Sequence, residues 1–183
     1  METKEKRRFS VRDMALCALF AAILAVSAWL TIPGPVPFTL QTFAVFAALG
    51  LLGGKRGTIA IAVYLVLGAV GLPVFSGFRG GFGVLLGSTG GYIAGFLLSG
   101  LLYWAMTALL GDKVWVRLLA MVLGLVLCYA AGTAQFMVVY LRDTGPIGLG
   151  AVLAKCVVPF LIPDACKLAL AWLLSARLSR YLK

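Results

Sequence analysis

The chain has 183 residues, 62% of them hydrophobic and 12% charged, with a mean hydropathy of +1.05 and a formal net charge of +10. These values exclude a soluble domain, and with it the nucleic-acid partner that such a charge suggests in a soluble protein. They predict an all-α, polytopic membrane protein, with residues 1–183 forming a single membrane domain.

Residues 1–12 form a basic tail carrying Lys4, Lys6, Arg7, Arg8 and Arg12. The bundle occupies 13–182 and opens with an apolar run from Met14 to Ile32, long enough to span. A secretory signal begins in the same way, with Val26-Ser27-Ala28 in place of its cleavage site, but here the apolar run continues to Ile32. Ala18/Ala22 and Ala21/Ala25 set small residues four apart, a spacing that lets helices approach closely in lipid. This face serves either a partner helix or packing within the bundle. Ile32-Pro33-Gly34-Pro35-Val36-Pro37 holds three prolines and is predicted extended.

A second helix is predicted from Phe38 to Leu52, with Thr39, Gln41 and Thr42 in its first turns, at the interface or beside a cavity. The run Gly53-Gly54-Lys55-Arg56-Gly57 is predicted as a tight turn into a third helix, Thr58 to Leu72. It is not a phosphate-binding loop, because Leu49 and Arg56 stand where that motif requires Gly and Ser/Thr. Residues 71–91, GLPVFSGFRGGFGVLLGSTGG, hold eight glycines and one arginine. An apolar, glycine-rich segment of this length is either a hinge or a loop whose backbone lines a cavity. The second reading is adopted, with a re-entrant-like outer loop over about 73–88.

A fourth helix is predicted from Thr89 to Leu110 and a fifth from Val114, with Arg117 at its start, to Leu141. Residues 147–158 are apolar except for Lys155 and too short to span, so they are read as a helix lying on or dipping into the surface. Pro159 to Pro163 is predicted to break the chain before a sixth helix reaching Leu182, with Arg177, Arg180 and Lys183 at its end. Six spans with both termini cytoplasmic place Lys55, Arg56, Lys113 and Arg117 inside with the two basic ends. Only Arg79, Arg142, Lys155 and Lys167 fall outside, in keeping with the positive-inside rule.

Cys17, Cys128, Cys156 and Cys166 lie in or beside apolar segments without CxxC spacing, and are read as buried thiols with no disulfide and no metal. The chain has no histidine, so the commonest general base and metal ligand is missing. Paired carboxylates and a nucleophile elbow are also missing, so no enzyme and no cofactor are expected. Asp164 and Lys167 sit one turn apart on one helical face within an apolar run. A charge inside the membrane costs about 2.5–3.5 kcal/mol on insertion scales, so the pair is either a structural salt bridge or a binding site.

Five stretches together resemble the BioY family, the biotin-specific substrate-binding (S) components of energy-coupling factor (ECF) transporters. They are Pro37-Phe38-Thr39-Leu40-Gln41-Thr42, Gly71-Leu72-Pro73-Val74-Phe75, Gly81-Phe82-Gly83-Val84-Leu85, Gly87-Ser88-Thr89-Gly90-Gly91-Tyr92 and residues 159–167, PFLIPDACK. The resemblance runs from Val11 to Leu182. It implies a six-helix bundle in the cell membrane that captures biotin from outside. It also implies a membrane coupling (T) component and two cytoplasmic ATPases as partners, with Ala18, Ala21, Ala22 and Ala25 as the docking face. The implied ligand contacts are Asp164, Lys167, Arg79, Gly81, Phe75, Gly83, Tyr92, Thr39 and Gln41. Arg79 departs from the smaller polar residue this loop position often carries in the family, though its charge suits a carboxylate. The residues alone admit another small vitamin or acidic solute.

Overall fold

The computed structural model describes residues 9–182, with side chains to residue 178. Lys4, Lys6, Arg7, Arg8, Lys183 and the side chain of Arg180 therefore lie outside the described residues. In chain order the elements are α1 (Val11–Trp29), β1 (Thr31–Ile32), β2 (Phe38–Thr39), α2 (Gln41–Leu52), α3 (Gly54–Ala69) and α4 (Phe82–Leu86). They continue with α5 (Gly90–Leu110), α6 (Val114–Asp143), α7 (Leu149–Cys156) and α8 (Val158–Leu182).

Several boundaries differ from the sequence expectation for identifiable reasons. Helix α1 starts at Val11 because Ser10 and Asp13 form a reciprocal capping box: Ser10 N donates to Asp13 Oδ2 and Asp13 N to Ser10 Oγ. It ends at Trp29 because Thr31 and Ile32 pair antiparallel with Thr39 and Phe38, making a two-residue ribbon across the proline segment. Phe38 and Thr39 are therefore strand, and α2 begins only at Gln41. The predicted five-residue turn before the third helix shrinks to Gly53, whose φ of 82° is a conformation that favours glycine.

The largest correction lies at residues 159–163. The chain does not break there: α8 runs from Val158 straight through Pro163. Pro159 falls in the first turn, where its missing N–H has no helical acceptor to lose. Pro163 forfeits one backbone hydrogen bond, and the helix continues through it. The glycine-rich loop also contains a five-residue helix, α4, that the sequence did not announce.

Helix α2 is the centre of the packing. Every residue from Ala44 to Leu52 is buried, and α1, α3, α5 and α8 surround it. Helices α5 and α6 pack closely because glycines face one another. A Cβ on Gly91 would sit 2.4 Å from the Ala131 carbonyl, and one on Gly132 would sit 2.4 Å from the Tyr92 ring. Helix α7 buries Val152 and Cys156 against Phe136 and Val36, a small second core under the proline segment. At the opposite end, Asp13 pairs with Arg56 at 3.0 Å, tying the start of α1 to the start of α3. Helices α1, α5, α6 and α8 are each long and apolar enough to cross a membrane.

Cys17, Cys128 and Cys156 are buried thiols, but Cys166 is exposed, because it points away from the bundle on α8. The four alanines of α1 do not form one surface. Ala21 and Ala25 are buried in the chain's own core, whereas Ala18 and Ala22 are exposed beside Leu19 and Ile23.

Candidate functional site

A cavity of about 700 Å³, its solvent-open part included, lies beneath the ribbon and the glycine-rich loop. The ribbon and the start of α2 supply Pro37, Thr39 and Gln41, and the loop supplies Phe75, Ser76 and Arg79. Tyr92, Ile93 and Phe96 come from α5, Leu125, Cys128 and Tyr129 from α6, and Phe160, Asp164 and Lys167 from α8. The walls are apolar except for a few convergent polar groups.

Lys167, Asp164, Tyr129 and the Thr39 carbonyl form one connected network. Lys167 Nζ donates to Asp164 Oδ1 at 2.8 Å and to the Thr39 carbonyl at 2.7 Å, and stands 3.8 Å from the centroid of the Phe38 ring. Tyr129 donates its hydroxyl to Asp164 Oδ2 at 2.7 Å. Asp164 is 4% exposed and Lys167 6%, so both charges are out of water. A buried ion pair persists only when its remaining hydrogen-bonding capacity is met, and here the carbonyl, the phenol and the aromatic face meet it. Phe38 in turn stacks on Phe160 of α8, centroids 6.1 Å apart. The ammonium is fully engaged with protein partners. The carboxylate accepts two bonds of the roughly four its lone pairs allow, so it keeps acceptor capacity for a ligand.

A second network orders the loop. Gln41 Nε2 donates to Tyr64 Oη at 2.7 Å, and that hydroxyl donates to the Val74 carbonyl at 3.1 Å. Thr39 Oγ1 donates to Gln41 Oε1 at 3.1 Å. Phe75 is buried edge-on against Tyr64 and fills the space over Gly68, where a Cβ would lie 2.0 Å from its ring. Trp29 of α1 donates to the Pro73 carbonyl, and Thr31 shares a hydrogen bond with Ser76. The far half of the loop is held differently. Gln135 of α6 donates to the Leu85 carbonyl at 2.7 Å, which the end of α4 leaves open, and to the Gly87 carbonyl at 2.8 Å, which also accepts from Gly90 N. Beneath the proline segment, Tyr92 donates to the Cys156 carbonyl, and burial pushes the Cys156 thiol up from its ordinary pKa, which keeps it protonated.

Of the nine residues expected to contact a ligand, seven line the cavity: Asp164, Lys167, Arg79, Phe75, Tyr92, Thr39 and Gln41. Gly81 and Gly83 do not. Gly81, with φ of 94°, precedes α4 and donates its N–H to the Gly68 carbonyl, while Gly83 faces an adjoining outer cleft. Tyr129 was missed, since nothing in the pattern of α6 separates it from an ordinary membrane-helix tyrosine. Tyr64 and Gln135 were missed for the same reason.

The "Biotin transporter BioY" of Thermotoga maritima is 40% identical over 173 residues, covering 93% of this chain and 97% of that one. The "Probable biotin transporter BioY" of Pyrococcus horikoshii is 38% identical over 171 residues, covering 91% and 96%. The solved structure described as "Crystal structure at 2.1 A of the S-component for biotin from an ECF-type ABC transporter" matches with a TM-score of 0.80 at 28% identity, covering 98% of this chain and 95% of that chain. Four membrane-length helices and these relatives make the chain a multi-pass membrane protein. The BioY family pattern matches residues 1–183, and the chain therefore belongs to the BioY family.

Proposed function

We propose that this chain is a biotin-binding S component of an ECF transporter in the cell membrane, taking biotin at its outer face. It is a transport component and not an enzyme. The observation that carries the ligand reading is the Tyr129–Asp164–Lys167 network at a buried cavity. Biotin presents a ureido ring with two N–H donors. A carboxylate paired with an ammonium, with lone pairs left over, is the matching acceptor. Lys167 serves to orient and neutralise Asp164, and a ligand carbonyl reaches its Nζ only by replacing the Thr39 carbonyl. Arg79 offers its charge to the carboxylate tail, since among the described residues its guanidinium is engaged through Nε, with the Ser76 carbonyl at 3.2 Å. The apolar walls enclose the rest of the ligand.

In this reading α1, α2, α3, α5, α6 and α8 span the membrane, with both termini cytoplasmic. Helix α2 rises only about 18 Å for its 12 residues, short of the hydrocarbon thickness, but its neighbours shield it and the ribbon extends it outward. Ala18 and Ala22, exposed on α1, are the part of the alanine face left to meet a T component driven by two ATPases. Ala21 and Ala25 belong to internal packing.

The test is the identity of the bound molecule. Protein purified from cells grown with biotin, denatured and analysed by mass spectrometry, should release biotin in near-equimolar amount. Release of a different vitamin, together with failure to bind added biotin, refutes the reading.

A further inference from the structure

The cavity does not end at Arg79. A second cleft, also about 700 Å³ with its solvent-open part, shares Pro37, Arg79, Val84 and Thr89 with it. From there it continues between Gly34 on the proline segment and Ser88 on the far half of the glycine-rich loop. Arg79 is the one charged side chain among its lining residues. The wall stands clear of other structure at Gly83, where an added Cβ would meet nothing within 4 Å.

If the ring of the ligand sits at Asp164 and its tail ends at Arg79, the next atoms along the tail enter this cleft. We propose that the site also takes tail-extended ligands, in which the biotin carboxylate is joined through an amide to an amino acid. The guanidinium then donates to the amide carbonyl in place of the carboxylate, and the amino-acid portion lies between Gly34 and Ser88. A cavity closed at Arg79 would reject such conjugates for want of room; this one opens outward at that point. The proposal rests on the biotin reading above and adds a substrate class to it.

The experiment titrates the detergent-purified full chain, freed of bound ligand, with biotin and with ε-N-biotinyl-lysine by calorimetry. The parent should bind the conjugate within about tenfold of biotin. Ser88→Trp fills the outer cleft from a position that does not line the inner cavity. It should weaken the conjugate by about tenfold or more while biotin changes by less than about threefold. Ser88→Leu should do the same to a smaller extent, and it serves if the tryptophan variant fails to fold. The proposal is overturned if the parent binds the conjugate more than about a hundredfold more weakly than biotin. It is also overturned if the substitutions affect both ligands equally, or neither. Loss of the conjugate alone leaves the biotin reading standing. Failure of biotin itself to bind the parent defeats both.

Discussion

Replacing Asp164 by asparagine isolates what the carboxylate does. Asp164 receives Lys167 Nζ on one oxygen and Tyr129 Oη on the other. In the variant, the amide oxygen must stay toward the ammonium, because an NH₂ group facing a buried Lys167 would set donor against donor. The NH₂ group therefore takes the Oδ2 position, and Tyr129 must reverse its hydroxyl to accept from it. A ureido N–H of the ligand then meets an amide with one acceptor fewer and no charge. Loss of one member of a buried charged pair in an interface costs about 2–5 kcal/mol, equivalent to about 30- to several-thousand-fold in affinity. Lys167 keeps the Thr39 carbonyl and the Phe38 ring, so the variant should still insert and purify as one species. The assay is biotin titration of parent and variant by calorimetry, with size-exclusion profiles as the control for folding. A monodisperse Asp164→Asn protein that binds biotin as tightly as the parent would falsify the assignment and reduce the pair to a structural bridge.

Topology is checked with single cysteines at positions 55 and 142 in a background lacking the four native ones: an impermeant thiol reagent should label 142 in intact cells and 55 only after permeabilisation, and equal labelling sinks the six-span arrangement. Ala22→Trp, on the exposed side of α1, should abolish uptake and co-purification with a coupling component while biotin binding survives. Loss of binding together with thermal stability would instead make Ala22 a packing residue. Gln135→Met removes the donors to Leu85 and Gly87 and leaves the Leu85 carbonyl unpaired, while Gly87 keeps the Gly90 N–H, so the dissociation rate of biotin should rise about tenfold, in line with about 1–3 kcal/mol for one acceptor left unpaired. An unchanged rate in stopped-flow displacement would show that the far half of the loop is held by packing alone.

The spanning helices were legible because lipid imposes one rule, a long apolar run with satisfied backbone, that composition reveals directly. The run at Met14, the pair of helices after Thr89 and the short segment at 147–158 all appear in the structure within a few residues of where the sequence put them. Asp164 and Lys167 stood out in the sequence for the same reason, since charge in an apolar run is conspicuous wherever the chain later goes. Tertiary structure decided what no local pattern encodes. Two prolines that read as a break are absorbed by α8, because the first lies in the opening turn and the second costs the helix one backbone hydrogen bond without ending it. Phe38 and Thr39 leave the helix because Thr31 and Ile32, brought back by the proline turn, offer them a strand to pair with. The alanine face divides in two because α2 and α3 pack against one side of α1 and leave the other open. Tyr129, Tyr64 and Gln135 became site residues only by proximity. Their partners lie 35, 23 and about 50 residues away in sequence, and a hydrogen bond across that distance depends on how the helices pack, not on the residues beside each donor.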